Sequence, residues 1–301
     1  MTRYSTPFHA MLLATTVLCT TTAARAQEYS GALTFGAARL SANGDDVSTY
    51  DIQGYIDADF GNGLVIGADS RLGRSDFGGD GGNLDSTEFR LTPRYRFASG
   101  LTLGAYVEHL NLSFDGSDFG LTSYGATLGY DTGALAVEAF VGQTDSDQNG
   151  SDKISDFGVN LVYSPADNLA VGGSLARSSS DGSDIDTFRL GGAYALNDSW
   201  TLFGAVESSN LGDLDITSFS AGASYDLTGL MGRPAAVSLE LERTRLGSSG
   251  SSDDNINTVR LGVTIPFGKP GVQVPLNSAV HNALRPRHNA FPSLISQGLG
   301  A

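Results

Sequence analysis

From residue 27 to residue 267 apolar and polar side chains alternate in short runs, broken by clusters of Gly, Asp, Asn and Ser. Period-2 alternation between turn signals is the mark of strands with one apolar face. The pattern predicts fourteen strands, at about 29–41, 48–60, 63–74, 86–97, 101–113, 121–131, 134–144, 154–164, 168–179, 186–196, 199–209, 216–226, 234–246 and 256–267. Twelve and sixteen strands stay open as alternatives. Connections after even strands are tight, such as Gly61-Asn62-Gly63 and Asp131-Thr132-Gly133. Those after odd strands are longer and acidic, such as DFGGDGGNLD and GSSGSSDD.

Aromatic residues decide what the apolar face meets. Phe60, Phe97, Tyr130, Tyr163, Tyr194, Tyr225 and Phe267 each end a predicted strand, and Phe89, Tyr124, Phe157, Phe188 and Phe219 precede most of them by six or eight residues. An even spacing on a strand keeps both sets on one face. Two aromatic rows flanking an apolar band are how a transmembrane barrel meets its two water interfaces. The same parity carries Leu64, Ile66, Leu101, Leu103, Val137, Val141, Leu239 and Leu241. A soluble β-sandwich also alternates, but it needs neither aromatic row, and the polar parity here is rich in Gly, Ser and Ala. The expected fold class is therefore all-β: a transmembrane antiparallel up-and-down β-barrel.

Residues 1–26 read as a secretory signal peptide: Arg3, an apolar run from Ala10 to Thr22, then Ala24-Arg25-Ala26 before Gln27. The run is shorter than the ~20 apolar residues a spanning helix needs. The only cysteine, Cys19, lies within it, so no disulfide framework is expected beyond it. All 33 acidic residues fall between the signal and Phe267, against 13 basic ones, a net of −20. That charge argues against nucleic acid as a partner, because such binding rests on neutralising phosphates. Residues 268–301 contain no acid but carry Lys269, Arg285 and Arg287. This Pro-broken, basic tail is expected to be disordered, and a second reading sends Arg285 and Arg287 into an acidic lumen.

The strand pattern, aromatic rows and closing segment Val259-x-Leu261-x-Val263-x-Ile265-x-Phe267 resemble the Gram-negative porins, of the short-loop kind found in alphaproteobacteria. The closing segment is similar to the aromatic-ended signal read by the barrel assembly machinery. The resemblance implies an outer-membrane location, contact with outer-membrane lipid and lipopolysaccharide, and a water-filled channel for passive diffusion of small hydrophilic solutes. Such porins usually end at the final aromatic residue, whereas this chain continues for 34 residues. A non-channel barrel with a structural or surface-binding role is the alternative. Monomer and homo-oligomer both fit the sequence.

Candidate pore-lining residues are the charges on the polar parity: Asp51, Asp57, Asp59, Asp69, Arg71, Arg90, Arg94, Arg96, Glu108, Glu138, Asp156, Arg189, Glu207, Glu240, Glu242 and Arg260. On strands two to four they read either as a transverse field acting on solutes or as ion pairs bracing the wall. Fourteen tilted strands close at a backbone radius of roughly 14 Å, and inward side chains would leave a channel on the order of 10 Å. Excess acid predicts a mild cation preference. Catalysis is not expected: the barrel's one histidine, His109, points by parity away from the lumen, and no Ser-His-Asp set forms without it. No cofactor or metal is expected. Acidic turns such as Asp115-Gly116-Ser117-Asp118 read as solvated tips. Arg177, Arg243 and Arg245 stand on the outward parity at external strand ends, placed for lipopolysaccharide phosphates or for snorkelling to water.

Overall fold

The structure, a computed structural model, describes residues 28–42, 44–79, 81–147, 153–180, 182–248, 254–268 and 274–292. The expected signal peptide and Cys19 lie outside these residues. Fourteen strands form one closed antiparallel sheet in which every strand pairs with its sequence neighbours and β1 (Glu28–Ala42) also pairs with β14 (Asp254–Gly268). The others are β2 (Asp45–Asp59), β3 (Leu64–Asp76), β4 (Asn83–Arg96), β5 (Leu101–Phe114), β6 (Ser117–Asp131), β7 (Leu135–Ser146), β8 (Ile154–Ala166), β9 (Leu169–Ser180), β10 (Ser183–Ala195), β11 (Trp200–Leu211), β12 (Leu214–Asp226) and β13 (Ala236–Ser248). Closure gives every edge a partner, which a sheet in hydrocarbon requires because no water is there to satisfy a free edge. Among the described residues no helix is long and apolar enough to cross a membrane.

The faces fall as the alternation requires. Phe97, Tyr124, Tyr130, Phe157, Tyr163, Phe188, Tyr194, Phe219 and Phe267 are exposed on the outside, and Phe60, Phe89 and Tyr225 are half-exposed. Leu103, Val141, Leu175, Leu239, Leu241 and Leu261 fill the band between the aromatic rows. Tyr225 lies against Trp200 on the neighbouring strand at 4.9 Å. His109 faces outward and bonds Thr122 across the β5–β6 pair at 3.0 Å.

The expected contrast between short and long connections is absent, and that is a correction. Strands run further than the turn residues suggested, so β5 and β6 are joined only by Asp115 and Gly116, and β11 and β12 only by Gly212 and Asp213. Asp115 and Gly116 adopt φ of 47° and 83°, the doubly left-handed turn whose twist matches a hairpin and which Asp-Gly favours. An acidic, Gly-rich stretch was thus the tip of a strand pair rather than a loop. The longest connection instead lies at the end carrying β1 and β14, where residues 227–235 include a one-turn helix, α1 (Thr228–Met231). Leu230 and Met231 on it are exposed.

The chain does not end at the barrel wall. Residues 274–292 return into the lumen and form a second short helix, α2 (Ala279–Leu284). Ser278 caps it by accepting a hydrogen bond from the His281 N–H. Pro286 stops it by forcing Arg285 out of helical geometry, to φ −131° and ψ 63°. Where disorder was the first expectation, this part of the tail follows a defined path. Inside the barrel Val280 and Ala279 form an apolar cluster with Ala193, Phe203 and Ala205, and Tyr106, Phe140 and Ala176 form a second.

Leu241 lies midway between the aromatic rows on the lipid face, so Leu241→Arg should lower stability by ~2–4 kcal/mol. Reversible denaturant unfolding in lipid vesicles measures this; a loss below ~1 kcal/mol would mean that this face does not meet hydrocarbon.

Candidate functional site

The inner wall is charged and hydroxylated because strand alternation leaves no other destination for those side chains. Asp51, Asp69, Arg71, Arg90, Glu108, Asp156, Arg189, Glu207, Glu240, Glu242 and Arg260 are all buried inside the barrel. Asp57, Asp59, Arg94, Arg96 and Glu138, on the same inward parity, are only partly covered. Most of these charges are paired within the wall. Arg90 donates to Asp69 at 2.9 Å, Arg189 to Glu207 at 2.6 Å and Arg260 to Glu242 at 2.9 Å and Glu240 at 3.3 Å. Arg96 spans Asp59 at 2.9 Å and Asp131 at 3.3 Å. Asp156 accepts from Thr144 and Ser178 at 2.6 and 2.5 Å.

Arg71 differs from the rest. It lies 3.9 Å from Glu88, and its Nε and Nη2 meet no hydrogen-bond partner among the described residues. Of the two readings for strands two to four, the geometry gives an ion pair between neighbouring strands for Asp69–Arg90, one reaching across β3 for Asp59 of β2 and Arg96 of β4, and only a loose contact for Arg71.

The returning segment supplies the partners that the wall lacks. The Leu276 N–H donates to Thr34 Oγ1 of β1 at 3.1 Å, and the Ala279 N–H donates to Glu240 of β13 at 3.2 Å. Helix α2 crosses to β9–β11. There Gly172 and Gly191 matter, because a Cβ at either would overlap Ala283, whose carbonyl and methyl sit where a side chain would stand. Arg285 then reaches Asp57 of β2 at 2.6 Å and Asp69 of β3 at 3.1 Å. Arg287 pairs with Glu88 of β4 at 2.8 Å. His288 lies between Glu108 of β5 and Glu138 of β7, at 2.8 and 2.9 Å. Asn289 donates to Glu108 and Ser123, and the Ala290 N–H closes the path on Ser178 of β9 at 3.0 Å.

Nineteen residues therefore touch the wall around most of its circumference. The pore of order 10 Å holds only for a lumen without them. A cavity of about 160 Å³ lies between the segment and the wall, bounded in part by Asp57, Arg94, Thr127, Glu138 and Asn160.

The sequence singled out Arg285 and Arg287 but not His288, Tyr106 or Phe140. The His288 ring stacks on Tyr106 at 4.2 Å and meets Phe140 edge-on at 5.1 Å. The available signal was that Tyr106, Phe140 and Phe203 stand on the inward parity, where large aromatic side chains need something to pack against. Inward glycines such as Gly172 and Gly191 make room for α2. Outside the barrel, Arg177 is bound to Asp186 at 2.5 Å and Arg243 to Asn255 at 3.3 Å. Among the described residues no three His, Cys, Asp or Glu side chains gather as a metal site would need.

Residues 28–231 match the Gram-negative porin family. No curated protein matches the chain. Among solved structures, the Pseudomonas putida toluene transporter TodX is 12% identical with a TM-score of 0.51, over 80% of this chain and 89% of that one. The CymD monoaromatic hydrocarbon channel is 11% identical with a TM-score of 0.51, over 80% and 89%. An anion-selective porin from Comamonas acidovorans is 12% identical with a TM-score of 0.48, over 79% and 98%. At such identities the first two likenesses speak for the fold alone and the third carries no argument. The family match covers more than half of the chain, which therefore belongs to the Gram-negative porins, the β-barrel channels of the outer membrane.

Proposed function

We propose that this porin is a passive diffusion channel for small hydrophilic solutes, mildly cation-preferring, whose lumen is closed or narrowed by its own residues 274–292. The observation that carries the reading is the chemistry of the contact. Barrel and segment meet through Arg285, Arg287 and His288 on wall carboxylates, plus apolar contacts of α2 with Phe203 and of the His288 ring with Tyr106 and Phe140. A filling held largely by charge is released by a change of charge, and the wall it leaves behind is polar throughout. The filled lumen also favours a second reading, a barrel that conducts nothing and serves a structural or surface-binding role. Displacing the segment separates the two.

The Arg285→Glu/Arg287→Glu protein, with like charges now facing Asp57, Asp69 and Glu88, should show several-fold higher single-channel conductance than wild type in planar bilayers. Its reversal potential in a salt gradient should shift toward cations, since two lumen positive charges are gone. Unchanged current would remove the gating role, and anion preference would overturn the charge argument.

His288 adds a pH dependence. Both ring nitrogens face carboxylate oxygens, and only the doubly protonated imidazolium donates from both. Burial opposes the charge, but the hydrogen bonds to Glu108 and Glu138 prevail and hold the docked pKa above the ordinary histidine value. A group raised on docking contributes fully below its undocked pKa, and that contribution is lost as pH rises through the docked one. The groups around it are Glu108, Glu138, Arg90, Arg94 and Arg287. Open probability should therefore rise as pH climbs from the ordinary histidine pKa upward, and His288→Gln should flatten the profile. A wild-type profile already flat over that range would contradict the assignment.

A further inference from the structure

The way Arg285 is held describes a ligand class as well as a tether. Its Nη1 and Nη2 bond the two oxygens of Asp57 at 2.6 and 3.2 Å, and its Nε and Nη2 bond the two oxygens of Asp69 at 3.1 and 3.2 Å. Its guanidinium carbon stands 4.3 Å from the centre of the Tyr55 ring. Two carboxylates on adjacent strands thus grip the planar fork edge-on while an aromatic face covers it. Fixed fork geometry and cation–π stacking select guanidinium over ammonium. Arg90 completes the pocket. It fixes Asp69 through two hydrogen bonds, at 2.9 and 3.1 Å. Its Nη1 also lies 3.5 Å from the Arg285 carbonyl oxygen and 2.7 Å from that of Pro286. The carboxylate of a free arginine lies at the position of the Arg285 carbonyl, so the same Arg90 would meet it.

Every group of the pocket except the occupant belongs to the wall: Tyr55 and Asp57 on β2, Asp69 on β3 and Arg90 on β4. The pocket also has a wet side. Asp57 retains 23% of its side-chain exposure and borders the cavity of about 160 Å³.

We propose that Tyr55, Asp57, Asp69 and Arg90 form a guanidinium-binding subsite in the channel wall, which Arg285 occupies from within the same chain. The solutes it takes in place of the tail are guanidinium cations, free arginine and arginine-bearing peptides among them. The tail is then a tethered competitor for the channel's own preferred solute. This solute class rests on the channel reading above, whereas the subsite itself does not.

The test vacates the pocket in the full chain. Arg285→Ala protein, refolded in detergent micelles, is titrated with guanidinium chloride by calorimetry, with methylammonium chloride as the control cation. One saturable site of roughly millimolar affinity is expected, absent from wild type, where Arg285 fills it. Adding Asp57→Asn should weaken binding tenfold or more, because one of the two charged grips is lost. If the alanine protein does not refold, Arg285→Lys keeps the charge but not the fork, and guanidinium should still bind it more tightly than wild type. Binding that is no tighter than in wild type, or no tighter than that of methylammonium, overturns the subsite. In bilayers, guanidinium should lower the Arg285→Ala current with the same concentration dependence. Calorimetric binding without any current would leave the subsite standing and remove the channel reading.

Discussion

A charge on a strand of a closed barrel has two places to go, hydrocarbon or lumen, and hydrocarbon is closed to it near the bilayer centre. Every structural feature of this porin follows from that restriction. Carboxylates and guanidiniums on alternate positions of fourteen strands are gathered inside one cylinder, where neighbouring strands lie ~4.8 Å apart. Some neutralise one another directly, as Arg189 does Glu207 and Arg260 does Glu242. Wall arginines alone do not cover Asp57, Glu108 and Glu138. The segment beyond β14 covers them, with Arg285 on Asp57 and His288 between the two glutamates.

Much of this could be read from the chain before any coordinates. Alternation placed the strands and aromatic residues marked the outer face, because hydrocarbon contact imposes a period of two at every strand. The charge partition, with 33 acids before Phe267 and none after it, raised a lumen position for Arg285 and Arg287 as a second reading beside disorder. Two things were illegible for physical reasons. The Asp-Gly and Asp-Ser stretches serve equally well as long loops and as tight hairpin tips, and only strand pairing on both sides decides. Inward glycines read as vacancy or as clearance. Gly172 and Gly191 prove to be clearance for Ala283, a contact more than ninety residues away in sequence. The period-2 signal carries no information about a partner with no period of its own.

Ion pairs shielded from water contribute less net stability than their geometry suggests, since desolvation offsets much of the attraction. That suits the release of the segment proposed above. Beside the apolar contact of Ala279 and Val280 with Phe203 and neutral hydrogen bonds such as Ala290 to Ser178, the grip is ionic, through Arg285, Arg287 and His288. A strongly apolar plug would have made a permanent core, whereas this one resembles a ligand attached by a leash.

The central claim is that residues 274–292 lie inside the barrel, and a disulfide tests it most directly. Ala290 and Ser178 meet through a 3.0 Å hydrogen bond, and Cys19 is the chain's only cysteine. In a Cys19→Ser background, the Ala290→Cys/Ser178→Cys protein in intact outer membranes should oxidise to an intramolecular disulfide in high yield, protecting both thiols from maleimide. Two thiols that stay reduced and freely labelled would place the segment outside the lumen and contradict the account.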